Sequence, residues 1–254
     1  MKTTLKLSVV TGLVLGCLLP ALAQAGAALP LAWYQVGNGP MNWIDPSFWT
    51  HVDGVDFLYY SNTTGDYRIT TTAIGKPDPY LAYGISATNL TGASLSFVFG
   101  YWVPIGPITG PNMVYGSFAG SGTDVTGNGQ TVTPNLPDSD GDGAMEIQTS
   151  WLNLGPTNLG VDVGLGYSHP AGIPGFSGVF GPYSSGPTPG PGGTWWALGS
   201  MVGFDMSGQN DIVTLNGFTS IVPVPEPTSG LLLGTGLIGA ALFAARRRRA
   251  PISA

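Results

Sequence analysis

One cysteine, two histidines and eight basic side chains among 254 residues close off several kinds of chemistry before any motif is read. Cys17 lies in an apolar N-terminal stretch, so the rest of the chain holds no thiol. Structural disulfides and thiolate metal sites are thereby excluded. His51 and His169 are far apart and show no paired-ligand spacing, which argues for surface or interfacial roles rather than zinc. Positive charge is scarcer still where it would matter. Lys2 and Lys6 sit at one end and Arg246 to Arg249 at the other, leaving only Arg68 and Lys76 between them. Thirteen acidic residues lie between Asp45 and Asp211, so this middle region carries a net charge of about −11. Such a body repels a phosphate backbone, and nucleic acid is excluded as a partner. A nucleophile elbow and a phosphate-binding glycine loop are both missing; Gly175-Phe176-Ser177-Gly178 lacks the second spacing. No catalytic residue is expected. Carboxylate pairs exist on paper, but a glycosidase needs two of them held across one sugar bond in a cleft.

What the chain has in quantity is glycine (40), proline (22) and aromatic rings, with seven Trp, ten Tyr and ten Phe. Disordered chains rarely carry so many rings, so a folded, turn-rich domain is expected.

Both ends read as processing segments. Lys2 and Lys6 precede an apolar run from Leu7 to Leu19; Pro20 breaks it, and Ala23-Gln24-Ala25 follows. This is the order of a secretory signal peptide, residues 1–25, with Ala23 and Ala25 marking the cleavage site for signal peptidase. A second reading takes Val14-Leu15-Gly16-Cys17 as a lipoprotein box with Cys17 acylated, although Val14 and the apolar Leu18-Leu19 weigh against it. Near the other end, Val224-Pro225-Glu226-Pro227-Thr228 leads into Ser229 to Ala245, 17 residues without a charge. As a helix rising ~1.5 Å per residue they reach roughly 25 Å, near the lower limit for crossing a bilayer. Arg246, Arg247, Arg248 and Arg249 follow at once and favour the cytoplasmic side. The two ends therefore agree: the body is exported and anchored at the inner membrane on its periplasmic side.

These three parts in this order resemble a PEP-CTERM sorting signal of Gram-negative bacteria that make exopolysaccharide. The resemblance covers Val224 to Arg249, with Pro225, Glu226 and Pro227 as the motif, Gly230 to Ala245 as the apolar helix and the four arginines as the stop. It implies an exosortase as partner, cleavage near the motif, and delivery to the cell surface or extracellular matrix. The catalytic residues would belong to the exosortase. An ordinary C-terminal anchor behind a chance Pro-Glu-Pro is the alternative; a GPI-type tail fits less well, since it would end in apolar residues. The resemblance says little of the central region, because such tails are joined to many unrelated bodies.

The division that follows is a signal peptide (1–25), a β-rich extracytoplasmic domain (26–222), a sorting and anchor segment (223–249) and a short cytoplasmic tail (250–254). Within the body, apolar and polar residues alternate most cleanly from Val161 to Ser168. They do so again in Tyr67 to Ile74, Leu81 to Ala87, Ser94 to Phe99, Met145 to Trp151, Trp195 to Phe204 and Ile212 to Ile221. Period two means half-buried strands. Thr126-Gly127-Asn128-Gly129 suggests a type I′ hairpin turn, and Pro170 to Gly193 reads as a long loop pinned by Phe176, Phe180 and Tyr183. The expected fold is all-β, a single antiparallel β-sandwich or jelly roll, flanked by a signal helix and a transmembrane helix.

Two constellations invite ligands. Asp138, Asp140 and Asp142 place carboxylates at every second position before Gly143, with Glu146 three residues on, a spacing that suits calcium. Thr149 stands where an EF-hand needs its bidentate carboxylate, so a solvated acidic turn is the competing reading and calcium the one candidate cofactor. Trp195 and Trp196, with Trp102 and Tyr183, offer rings that sugars could stack on, against core packing as the commoner fate of Trp in strands. The function expected is a non-enzymatic surface or matrix protein linked to exopolysaccharide or biofilm, with a secreted carbohydrate-binding or polysaccharide-modifying protein as the alternative.

Overall fold

The computed structural model describes residues 29–76, 78–138, 143–153, 157–159 and 163–224. Ala23, Ala25, Asp140, Asp142, the motif from Pro225 to Pro227, Arg246 to Arg249, and the expected signal and transmembrane helices lie outside the described residues.

Strands account for nearly all the regular structure. In chain order they begin with β1 (Leu31–Val36), β2 (Asn42–Trp43), β3 (Trp49–Val52), β4 (Val55–Thr63), β5 (Tyr67–Lys76), β6 (Tyr80–Asn89), β7 (Leu95–Thr109) and β8 (Asn112–Asp124). They continue with β9 (Gln130–Pro134), β10 (Gln148–Leu152), β11 (Thr157–Asn158), β12 (Tyr167–His169), β13 (Phe176–Pro189), β14 (Thr194–Met206) and β15 (Asp211–Pro223). Among the described residues the one helical turn is a 3-10 turn, Pro46–Phe48, begun by the Asp45 carboxylate, which accepts from the Ser47 amide at 2.8 Å. No helix among them is long and apolar enough to cross a membrane.

Two antiparallel sheets result. The first runs β11-β10-β14-β7-β1-β2, with β9 joining β14 and β12 joining β9; the second runs β13-β8-β15-β6-β5-β4-β3. Alternation explains which faces meet. In β5, Ile69, Thr71 and Ala73 are buried while the residues between them are not, and in β15 Val213 and Leu215 do the same. Phe97, Phe99 and Tyr101 of β7 point inward with Phe204 of β14, and meet Ile69, Leu81, Ile85, Phe118 and Leu215 from the other sheet. Each such side chain contributes about 1.5–3 kcal/mol when fully buried. Rings stack within and across the layers: Phe97 on Phe204 at 5.6 Å, and Tyr83 on Tyr101 at 5.5 Å with only 6° between their planes.

Several buried polar groups are tied across the same interface, which offsets the cost of taking them out of water. Thr71 and Tyr101 share a 2.5 Å hydroxyl contact. Tyr83 donates to Gln148 Oε1 at 2.6 Å, Gln148 Nε2 donates to the Phe218 carbonyl at 3.0 Å, and Ser150 meets Thr219 at 2.7 Å. These bonds fix the register of β10 over β6 and β15. The all-β sandwich expected from alternation is thus what the chain forms.

Four local expectations are corrected. The cleanest alternating run, Val161 to Ser168, is not one strand: Val163 makes an isolated bridge to Gln148, and pairing resumes only in β12. Gly164, at φ +111°, breaks the extended backbone between them. The Met145 to Trp151 strand begins at Gln148. Thr126 to Gly129 does not close a hairpin, since β8 belongs to the second sheet and β9 to the first. Gly127 and Gly129, not Asn128, take positive φ, and Asp124 holds both of their amides at 2.7 Å, so the segment carries the chain between layers. Most of the Pro170 to Gly193 loop is the strand β13, paired with β8 from Phe176 to Pro189.

Candidate functional site

Trp195 and Trp196 neighbour one another on β14 but do not form a platform together. Trp195 packs against the core and its indole donates to the Pro191 carbonyl at 3.1 Å. Trp196 is half-buried, and its amide donates to the Asn153 side chain at 3.0 Å where a bulge interrupts the pairing of β14 with β7. Tyr183 is also inward, stacked on Phe118 at 6.2 Å with 7° between the planes. Trp102, by contrast, stands on the outer face of the first sheet.

The register of the first sheet shows what Trp102 belongs to. Trp33 of β1 lies opposite Trp43 of β2 on one side and Gly100 of β7 on the other. One step along, Trp102 lies opposite Gly199 of β14, which in turn faces Trp151 of β10. Inward-facing Tyr34, Tyr101, Leu198 and Leu152 alternate with these positions, so all four indoles share the solvent side. Trp33 stacks on Trp102 with centroids 6.3 Å apart and 22° between the planes. Both rings rest on glycine: a Cβ at Gly100 would lie 2.3 Å from Trp33 Nε1, and one at Gly199 would lie 2.4 Å from Trp102 Nε1. Trp151 is braced by its own neighbour, its indole donating to Thr149 Oγ1 at 2.8 Å. Trp43 is 44% exposed, Trp102 and Trp151 are partly exposed, and Trp33 is sheltered between its neighbours at 5%. The sequence signal for this row is weak, because its members are scattered from position 33 to 151 and meet only through cross-strand register.

The acidic residues are spread over other places. Asp138 accepts from the Gly143 amide at 2.9 Å, and Glu146 is buried. Among the described residues no group of three or more His, Cys, Asp or Glu side chains is placed to hold a metal ion. Asp124 and Asp211 lie one position beyond the paired Thr123 and Ile212 and are both sealed from solvent. Asp124 is occupied by the amides of the interlayer turn, and Asp211 accepts from the Ser207 hydroxyl at 2.7 Å. Burial raises the Asp211 carboxyl above its ordinary pKa, the Ser207 bond opposes this, and the adjacent Asp124 charge adds to it. Both carboxyls thus hold turns at the strand ends. A His51–Asp56 pair, 2.8 Å apart, borders a pocket of about 110 Å³ lined by Leu29, Pro30, Pro46 and Trp49. Neither a hydroxyl nor a thiol lines it, so it holds two of the three members of a hydrolytic triad and lacks the nucleophile. His169, in β12 of the other sheet, stacks on Phe176 at 3.7 Å and has no part in it.

Comparison with known proteins bears on the end of the chain rather than on the sandwich. No curated protein matches the chain. Residues 223–249 match the PEP-CTERM protein-sorting motif, within one residue of the Val224 to Arg249 span read from the charges and the apolar run. The chain therefore carries a PEP-CTERM sorting motif, which directs exosortase-dependent export and sorting toward the cell surface.

Proposed function

We propose that the protein is a non-enzymatic component of the cell surface or extracellular matrix, linked to exopolysaccharide or biofilm, whose sandwich is delivered by its tail. The observation that carries this reading is the sorting motif at residues 223–249, joined directly to a β-body that ends at Pro223. On this reading signal peptidase removes the leader and the tail holds the body on the periplasmic side of the inner membrane. The exosortase then severs the anchor near Pro225-Glu226-Pro227. A secreted carbohydrate-binding protein is the second reading, favoured by the outward tryptophan row.

The test is mass spectrometry of the protein from its own host, with and without a working exosortase. With the enzyme, peptides beyond the motif should disappear from the mature chain and the body should leave the membrane fraction. Without it, the arginine-bearing tail should persist in the membrane. Identical C-terminal peptides and location in both strains would remove the sorting step from this account.

A further inference from the structure

The geometry points to the outer face of the first sheet as a binding surface for a neutral glycan chain, with Trp43, Trp102 and Trp151 as contact rings and Trp33 as the packed link between them. This deepens the exopolysaccharide reading above and rests on it. An outward sheet face ordinarily carries polar side chains, because it meets water. Here four of the seven tryptophans lie there instead, in two adjacent cross-strand rows. Leaving Trp43 44% exposed and Trp102 and Trp151 partly so forgoes part of the gain from burying them, and such a patch marks a surface that is covered in use.

The arrangement is built rather than scattered. Gly100 and Gly199 remove the two side chains that would push Trp33 and Trp102 off the sheet, and each indole settles onto bare backbone. Stacking of Trp33 on Trp102 and the Trp151 to Thr149 bond hold orientation. Rings fixed in this way lose little freedom on binding, which favours affinity per contact. From Trp43 on β2 to Trp151 on β10 the row crosses four strand intervals of ~4.8 Å, a span of roughly 19 Å. That is a track for several sugar units rather than a pocket for one.

Charge selects the occupant. The side chains that share this face with the rings, including Gln35, Val98, Thr149 and Met201, are uncharged. Asp205, farther along β14, is engaged by Asn135 Nδ2 at 3.0 Å. A body of about −11 repels an anionic ligand, and the uncharged strip offers a cationic one no carboxylate to pair with on this face. A second copy of the chain meets the same obstacle, since pairing through this face brings two strongly acidic bodies together. A neutral glycan meets neither objection: its C–H faces lie on the rings and its hydroxyls remain in water.

The test presents the full chain, in mild detergent, to an array of neutral and acidic oligosaccharides, and then titrates the tightest neutral glycan calorimetrically. Binding to neutral glycans is expected. Trp43→Ala combined with Trp151→Ala should weaken it by at least about tenfold, as loss of contact tryptophans does at other interfaces. Tyr59→Ala, which removes a ring 64% exposed on the other sheet, should leave binding unchanged. If the alanine pair lowers the melting midpoint, Trp43→Phe with Trp151→Phe takes its place and should give intermediate affinity. Equal affinity in the folded tryptophan variants would overturn the surface assigned here while leaving a glycan-binding role in place. Binding of acidic glycans alone, or of none, would overturn the ligand class. A dimer in sedimentation that the double substitution dissociates would show that the face pairs copies instead. None of these outcomes alters the exosortase test, so the two readings fail separately.

Discussion

At Gly199 a methyl group would stand 2.4 Å from the Trp102 indole nitrogen and 2.5 Å from its Cδ1, distances that neither atom tolerates. The indole cannot sink, because the sheet lies beneath it, so Gly199→Ala must lift the ring or shift β14 against β7. Overpacking of this kind costs about 1–3 kcal/mol. The expected outcome is a lower denaturant midpoint with an unchanged slope, together with a change in tryptophan emission. An unchanged midpoint and emission would mean that Trp102 is not seated as described. Neither glycine announced this role in the sequence. With 40 glycines in the chain, turns and close strand packing account for most, and a glycine reserved for a ring on the neighbouring strand, far off in sequence, has no local signature. Asp138 and Glu146 belong to a spacing that was legible in the sequence, but Asp140 and Asp142 lie outside the described residues, so the calcium expectation is not decided by the Asp138 to Gly143 bond.

Strand β13 shows why element boundaries were harder to read than element type. Its sequence, Phe176 to Pro189, holds two Gly-Pro pairs, and each falls where the pairing with β8 shifts register, between Phe180 and Tyr183 and between Ser185 and Thr188. Proline withholds a ladder donor, which an edge strand tolerates and a bulge absorbs. Composition alone therefore reads as loop, while β8 supplies a template that overrides it. The three rings expected to pin the segment do so as strand residues: Phe180 and Tyr183 pack on Phe118, and Phe176 lies on His169. If β13 is an integral edge, Phe180→Ala should cost about 3–5 kcal/mol, in the range of buried Phe truncations. It should also expose the β8 amides to hydrogen exchange. A loss of only a few tenths of a kcal/mol would place the segment outside the cooperative unit. By contrast β5, β6, β14 and β15 were legible nearly to their ends, and in β5, β6 and β15 burial alternates over most of the strand as their neighbours require.

For the whole molecule, the sandwich followed from many short alternating runs and the address from the charges at the ends, whereas the pairing order depended on long-range contacts that no local pattern encodes. The pH dependence belongs to the same scale, since it sums groups distributed through the core. Burial, and then the neighbouring Tyr34 hydroxyl, push Tyr60 and Tyr67 up to about 12, while enclosure between the sheets raises Tyr83 and Tyr101 as well. A phenol in the unfolded chain ionises near pH 10. Each raised tyrosine therefore contributes stability that is intact below about pH 10 and is lost as pH climbs through the folded values. Asp211 acts in the same direction farther down the scale: its raised carboxyl favours the fold below the ordinary aspartate range, and that contribution disappears as it ionises. Denaturant unfolding followed across this range should show stability falling toward alkaline pH, steepening above about pH 10. Tyr67→Phe keeps the edge contact with Phe97 and removes one ionising hydroxyl, so its alkaline transition should lie higher than that of the unchanged chain. Coincident transitions would show that the Tyr67 hydroxyl ionises without opposing the fold.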